Sequence, residues 1–189
     1  MNRKILLSLF LVLMLIAQWL IPYKMIWTND RTVKEGKVFK FKTMPIDPSD
    51  AFRGKFIHLN YDNTLFCLAD NKSYKQAQEV FVSIDNDSLG YAKITAISHI
   101  KPSNPNYIVA NINYIQQLEE DSSCIDINFP FDRYYMEESK SKDAEDLYRK
   151  SIRHFTKNVY SVVYIKDGNA VLTDVKIDDK SIKDLIPKK

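Results

Sequence analysis

Two short stretches of the chain carry residue types that do chemistry. The first is MPIDPSDAFRGKFIHLNY, residues 44–61, in which Asp47, Asp50 and Arg53 fall close together. Two carboxylates beside a guanidinium form a charged site that can face a ligand. The second is FPFDRYYMEE, residues 129–138, in which Asp132 and Arg133 precede Glu137 around an aromatic patch. Carboxylates next to a basic group do acid–base work when they meet in a cleft. Each stretch also has a plainer reading. Pro48 presets its own φ and keeps Asp47 out of the α region, Ser49 or Asp50 closes a turn, and Gly54 eases the chain into a strand. On that reading Arg53 holds one of the carboxylates and the segment is a rigid turn. The second stretch reads equally as the start of a helix with its rings buried. A third arrangement joins the two, with Arg53 and Arg133 sharing Asp47, Asp50, Asp132 and Glu137.

Other chemistries have no support. His58, His99 and His154 share no metal-ligand spacing, so no metal site is expected. The chain has four glycines and lacks CxxC, HExxH, GxSxG and Walker patterns, so no cofactor is expected either. Ser49 has no identifiable lysine partner for a signal-peptidase type of nucleophile.

The elements that must position these residues are mostly strands. KVFKFKT alternates, and KFIHLNYD places Phe56, His58 and Asn60 on one side and Ile57, Leu59 and Tyr61 on the other. EVFVSID, GYAKITAISHI, YIVANINYI, CIDINFPF and VYSVVYIK are rich in β-branched and aromatic residues. Asp167-Gly168 between two such runs is a hairpin signal. One helix interrupts them over residues 137–153, with Ala144, Leu147, Tyr148 and Ile152 on one stripe. The expected fold is mainly β with one helix (α+β), an antiparallel sandwich or small barrel.

This domain follows an apolar N-terminus. Ile5 to Ile21 carries no charge in 17 residues, enough for a membrane helix, and Tyr23 and Trp27 suit the interface. A cleaved signal peptide is the alternative, but the run is longer than an h-region and no A-x-A-like site closes it. Residues 1–27 therefore read as a signal anchor and residues 28–189 as an extracytoplasmic β-rich domain. Arg3 and Lys4 hold the short N-tail in the cytoplasm; the Lys and Arg residues after the span oppose this orientation, but long domains translocate largely regardless of charge. The net charge of +3 is misleading: all 24 acidic residues follow Lys24, and removing Arg3, Lys4 and Lys24 from the 27 basic residues leaves 24. A neutral domain lacks the footprint of a nucleic-acid binder. Cys67 and Cys124 are either a disulfide, in an oxidising compartment, or two separate buried thiols.

The first stretch also carries a resemblance. Gly54-Lys55-Phe56-Ile57-His58-Leu59-Asn60-Tyr61 is similar to the signature of the GDYXXLXY family of membrane-anchored bacterial proteins. Gly54, Leu59 and Tyr61 match, Lys55 and Phe56 depart, and the preceding Asp47, Pro48, Asp50 and Arg53 also fit. FDRYYMEE resembles the family's later aromatic-acidic block. The resemblance implies a protein of the bacterial inner membrane, of uncharacterised role, whose relatives are often encoded beside polytopic membrane proteins. Lys55 in place of the acid speaks against a required acid at that position. The expected function is a non-enzymatic, partner-binding or envelope-assembly domain, with a polytopic membrane protein as the candidate partner. The alternative is an envelope hydrolase with a carboxylate and arginine site.

Overall fold

The computed structural model describes residues 3–44, 56–68, 74–119, 122–153 and 158–186. Helix α1 (Arg3–Glu35) is long and apolar enough to cross a membrane, and none of its apolar window is buried against the rest of the chain. It passes through Pro22 without ending and runs eight residues beyond Trp27. This last part is a polar stem. Lys34 pairs with Asp30 at 2.6 Å and Arg31 with Glu35 at 3.0 Å, both at i,i+4 spacing.

Twelve strands among the described residues follow, broken by one helix and ended by a second. They are β1 (Lys37–Met44), β2 (Phe56–His58), β3 (Asn60–Tyr61), β4 (Leu65–Leu68), β5 (Glu79–Asn86), β6 (Ala92–Ser98), β7 (Tyr107–Glu119), β8 (Ser122–Asn128) and β9 (Arg133–Tyr135). After α2 (Glu138–Arg153) come β10 (Val159–Lys166), β11 (Asn169–Ile177), β12 (Lys180–Ser181) and the short α3 (Ile182–Leu185). One sheet has the order β12-β11-β10-β1-β3, a second β4-β8-β7-β5-β6, and β2 pairs with β9 between them. Every strand pairing is antiparallel. The second sheet curls toward closure, and Asn63 Nδ2, just before β4, donates to the Ala92 carbonyl of β6 at 3.5 Å. The fold is the expected mainly β body, a nearly closed antiparallel barrel behind an apolar helix.

Alternation explains the core. Phe39, Phe41 and Thr43 of β1 turn inward while Lys40 and Lys42 stay exposed. They meet Val163 and Ile165 of β10 and the inward residues of the second sheet, among them Val82, Ile108, Ile125 and Ile127. The expected stripe of α2 is the one that packs: Ala144, Tyr148 and Ile152 are buried and Leu147 lies against the core. At the β10–β11 hairpin, Lys166 faces Asn169 across Asp167 and Gly168, whose φ values are +50° and +90°. Positive φ at both central residues is the type I′ pattern that matches strand twist. Gly168 then exchanges backbone bonds with β7, donating to the Tyr107 carbonyl and accepting from Val109 N, both at 3.1 Å. A Cβ there would stand 2.9 Å from the Tyr107 and Val109 side chains, so only glycine admits this contact between the sheets. Cys67 and Cys124, opposite each other in the β4–β8 register, form a disulfide.

The stem docks on this same hairpin. Asn169 Nδ2 donates to Asn29 Oδ1 at 3.0 Å and to Thr32 Oγ1 at 2.9 Å, and Lys166 pairs with Glu35. Thr32 is buried by the contact. Gly36 closes the corner, because a Cβ there would come within 2.3 Å of the Thr32 carbonyl oxygen. No linker separates helix from body.

Candidate functional site

β1 starts at this joint with Lys37 and ends seven residues later at Met44, about 23 Å along the strand at ~3.3 Å per residue. Its far end borders a polar cleft of about 310 Å³. Met44, His58, Asn60 and Asp132 line it from one side, and Thr64, Asn113, Asp126 and Asn128 from the other.

The cleft exists because the two stretches singled out in the sequence are bonded to each other through backbone. Phe56, Ile57 and His58 pair with Tyr135, Tyr134 and Arg133. Leu59 N donates to the Asp132 carbonyl at 2.8 Å, and the Tyr61 hydroxyl donates to the Phe131 carbonyl at 2.8 Å. Alternation then buries Ile57, Leu59 and Tyr61 and leaves His58 and Asn60 facing the cleft. Tyr61 is wedged among Phe41, Phe129 and Phe131, with edge-on ring contacts of 5.3 to 5.8 Å. That burial pushes its phenol far above the ordinary range, so it stays a hydrogen-bond donor. Leu59 and Tyr61 of the signature are therefore structural, and the alternate positions His58 and Asn60 face the cleft.

The opposite wall comes from β7 and β8. Asp126 is 8 % exposed, and one of its oxygens accepts from Asn113 Nδ2 at 2.7 Å. Across the cleft, His58 Nδ1 stands 3.7 Å from Asp132 Oδ2, beyond hydrogen-bond length, and the nitrogen has no hydrogen-bond partner among the described residues. Arg133 Nε lies 3.6 Å from Asp132 Oδ1, while its guanidinium sits 5.2 Å over the Phe56 ring and does not line the cleft. Among the described lining residues there is no lysine or arginine. Amide, hydroxyl, imidazole and carboxylate groups in this mixture suit a neutral polar or cationic group and disfavour an anion.

The candidate residues thus divide. Asp132 lines the cleft with Arg133 beside it, and Leu59 and Tyr61 form its floor. Glu137 points elsewhere, pairing with Lys140 Nζ at 2.7 Å on the exposed start of α2, a hydrogen bond that holds its carboxyl below the ordinary 4.5. Asp47, Asp50, Arg53 and Gly54 lie outside the described residues. Sequence reasoning placed His58 and Asn60 on one strand face without marking them as ligand-facing, and passed over Asn113, Asp126 and Asn128 altogether. The available signal was alternation: these are the outward polar positions of strands whose other residues are apolar.

A β body fixed to one apolar helix, with a polar cleft at the far end of its first strand, defines a class of helix-tethered β-domain proteins. The family model described as GDYXXLXY protein matches residues 18–175, most of the chain, and the protein belongs to that family. No curated protein and no solved structure matches it.

Proposed function

We propose that this is a single-pass protein of the bacterial inner membrane, whose extracytoplasmic body uses the polar cleft to bind a partner protein in envelope assembly. The observation that carries the reading is the linker-free joint at one end of β1 and the hydrogen-bonding surface at the other. A helix docked without a linker holds the body in one pose above the bilayer, which suits a partner held in that same membrane. Asp126 is held in place by Asn113, an orienting hydrogen bond that suits recognition. The Cys67–Cys124 bond fits an oxidising compartment, and Arg3 and Lys4 before the span fit a cytoplasmic N-tail. Residues 1–27 act as the anchor and 28–189 as the working domain. Asp47, Asp50 and Arg53, which lie outside the described residues, are proposed from the sequence as further binding residues of this domain.

The test is a photoreactive residue placed at Asn60 or Asn128, with Lys93 of β6 as a control, in chains expressed in bacterial membranes. A discrete protein adduct from the two cleft positions and none from Lys93 is expected. Adducts of equal yield from all three, or none, contradict the reading. A second reading, an envelope hydrolase, rests on the proximity of His58 and Asp132 at 3.7 Å, a separation that would have to close for proton transfer. It predicts a hydrolytic activity of the purified chain that His58→Ala and Asp132→Asn each abolish while the fold persists.

A further inference from the structure

The uncharged stretch of α1 between Lys4 and Lys24 is centred on Met14. Gln18 lies four residues further along, about 6 Å from the centre at ~1.5 Å per residue. The hydrocarbon half-thickness is about 15 Å, so a spanning α1 places this carboxamide well inside it. Gln18 is exposed and has no hydrogen-bond partner among the described residues. Pro22 follows at i+4 inside the helix and has no N–H to donate. The backbone carbonyl of Gln18 therefore loses its helical partner as well. One residue thus presents two N–H donors and two unpaired acceptors at one depth, where lipid offers no replacement.

We propose that Gln18 pairs α1 with α1 of a second copy of this chain within the membrane. The inference rests on α1 spanning the membrane, as in the preceding reading. A carboxamide is both donor and acceptor and so complements itself. Two copies inserted the same way bring the same residue to the same depth about a two-fold axis. Any other helix would have to carry a matching group at that depth, whereas a second copy does so automatically. Leu11, Met14 and Leu15 share the face with Gln18 and supply apolar packing around the bond.

The experiment uses the full chain, labelled with donor and acceptor fluorophores, in vesicles of phosphatidylethanolamine and phosphatidylglycerol. Energy transfer between copies is expected. Gln18→Leu is expected to weaken self-association about threefold to thirtyfold, the range of interhelical side-chain hydrogen bonds, and Gln18→Asn to retain most of it. Single cysteines add a geometric check: Leu11→Cys should crosslink between copies and Leu20→Cys, on the opposite face, should not. Absence of energy transfer, no change in Gln18→Leu, or equal crosslinking at both positions overturns the pairing. Recovery of the chain outside the vesicles overturns the spanning reading instead, so the two failures are distinct.

Discussion

At the Lys37 end of β1 the stem is held to the body by polar side chains, Asn29, Thr32 and Glu35 against Asn169 and Lys166. At the Met44 end the chain is held by packed rings, Phe41, Tyr61, Phe129 and Phe131, with backbone pairing between β2 and β9 beneath the cleft. The first set depends on a few hydrogen bonds, in part exposed and open to screening. The second depends on buried area and on ring geometry. The cleft is consequently built on the stronger frame, and the angle between helix and body on the weaker. On the proposed reading that the cleft binds a partner, this frame keeps the cleft-lining groups fixed.

Three substitutions sharpen or break this contrast, in order of expected effect. Phe41→Ala removes the ring that touches the other three and should cost about 3–5 kcal/mol of stability, read as a fall in the denaturation midpoint. A loss under 1 kcal/mol would mean that the aromatic frame is not what holds the cleft. Tyr61→Phe keeps the ring and leaves the Phe131 carbonyl without its donor, at a cost of about 1–3 kcal/mol. Chemical denaturation distinguishes the two variants, and equal losses would contradict the separate roles of ring and hydroxyl.

The smallest effect lies at the joint and depends on pH. Hydrogen bonds from Lys166 and then Arg31 lower the Glu35 carboxyl below its ordinary 4.5. A depressed acid contributes its stabilisation above the unfolded value and loses it as pH falls through the lowered folded value. Proteolysis of the stem should therefore quicken below about pH 4.5, and Glu35→Gln should remove that dependence. A pH profile that Glu35→Gln leaves unchanged would place the acid sensitivity elsewhere.

Much of this fold was legible because it follows from local pattern. Period-two alternation gave β1 and the shared face of Ile57, Leu59 and Tyr61, the Asp167-Gly168 dipeptide gave the hairpin, and the period of the helix gave the buried stripe of α2. What escaped was set by long-range pairing. Nothing near Phe56 indicates that it faces Tyr135, and without that pairing His58 and Asp132 have no reason to meet. Asp126 and Asn113 become one wall only once β7 and β8 are in register. The stem escaped for another reason: Asn29 and Thr32 look like ordinary polar residues after an anchor, and their partner Asn169 is 140 residues away from Asn29. The two-cysteine question also turned on pairing, because only the β4–β8 register puts Cys67 opposite Cys124.

On the proposed reading the cleft stands farther from the membrane than the helix joint does, which is open to direct measurement. A fluorophore at Asn128→Cys, in the cleft, is compared with one at Ser103→Cys, in the loop where Pro105 accepts from Asp167 N of the β10–β11 hairpin. The full chain is reconstituted in vesicles containing nitroxide headgroup lipids. The account predicts strong quenching at position 103 and little at 128. Equal quenching at both, or stronger quenching at 128, would contradict it by laying the cleft against the bilayer.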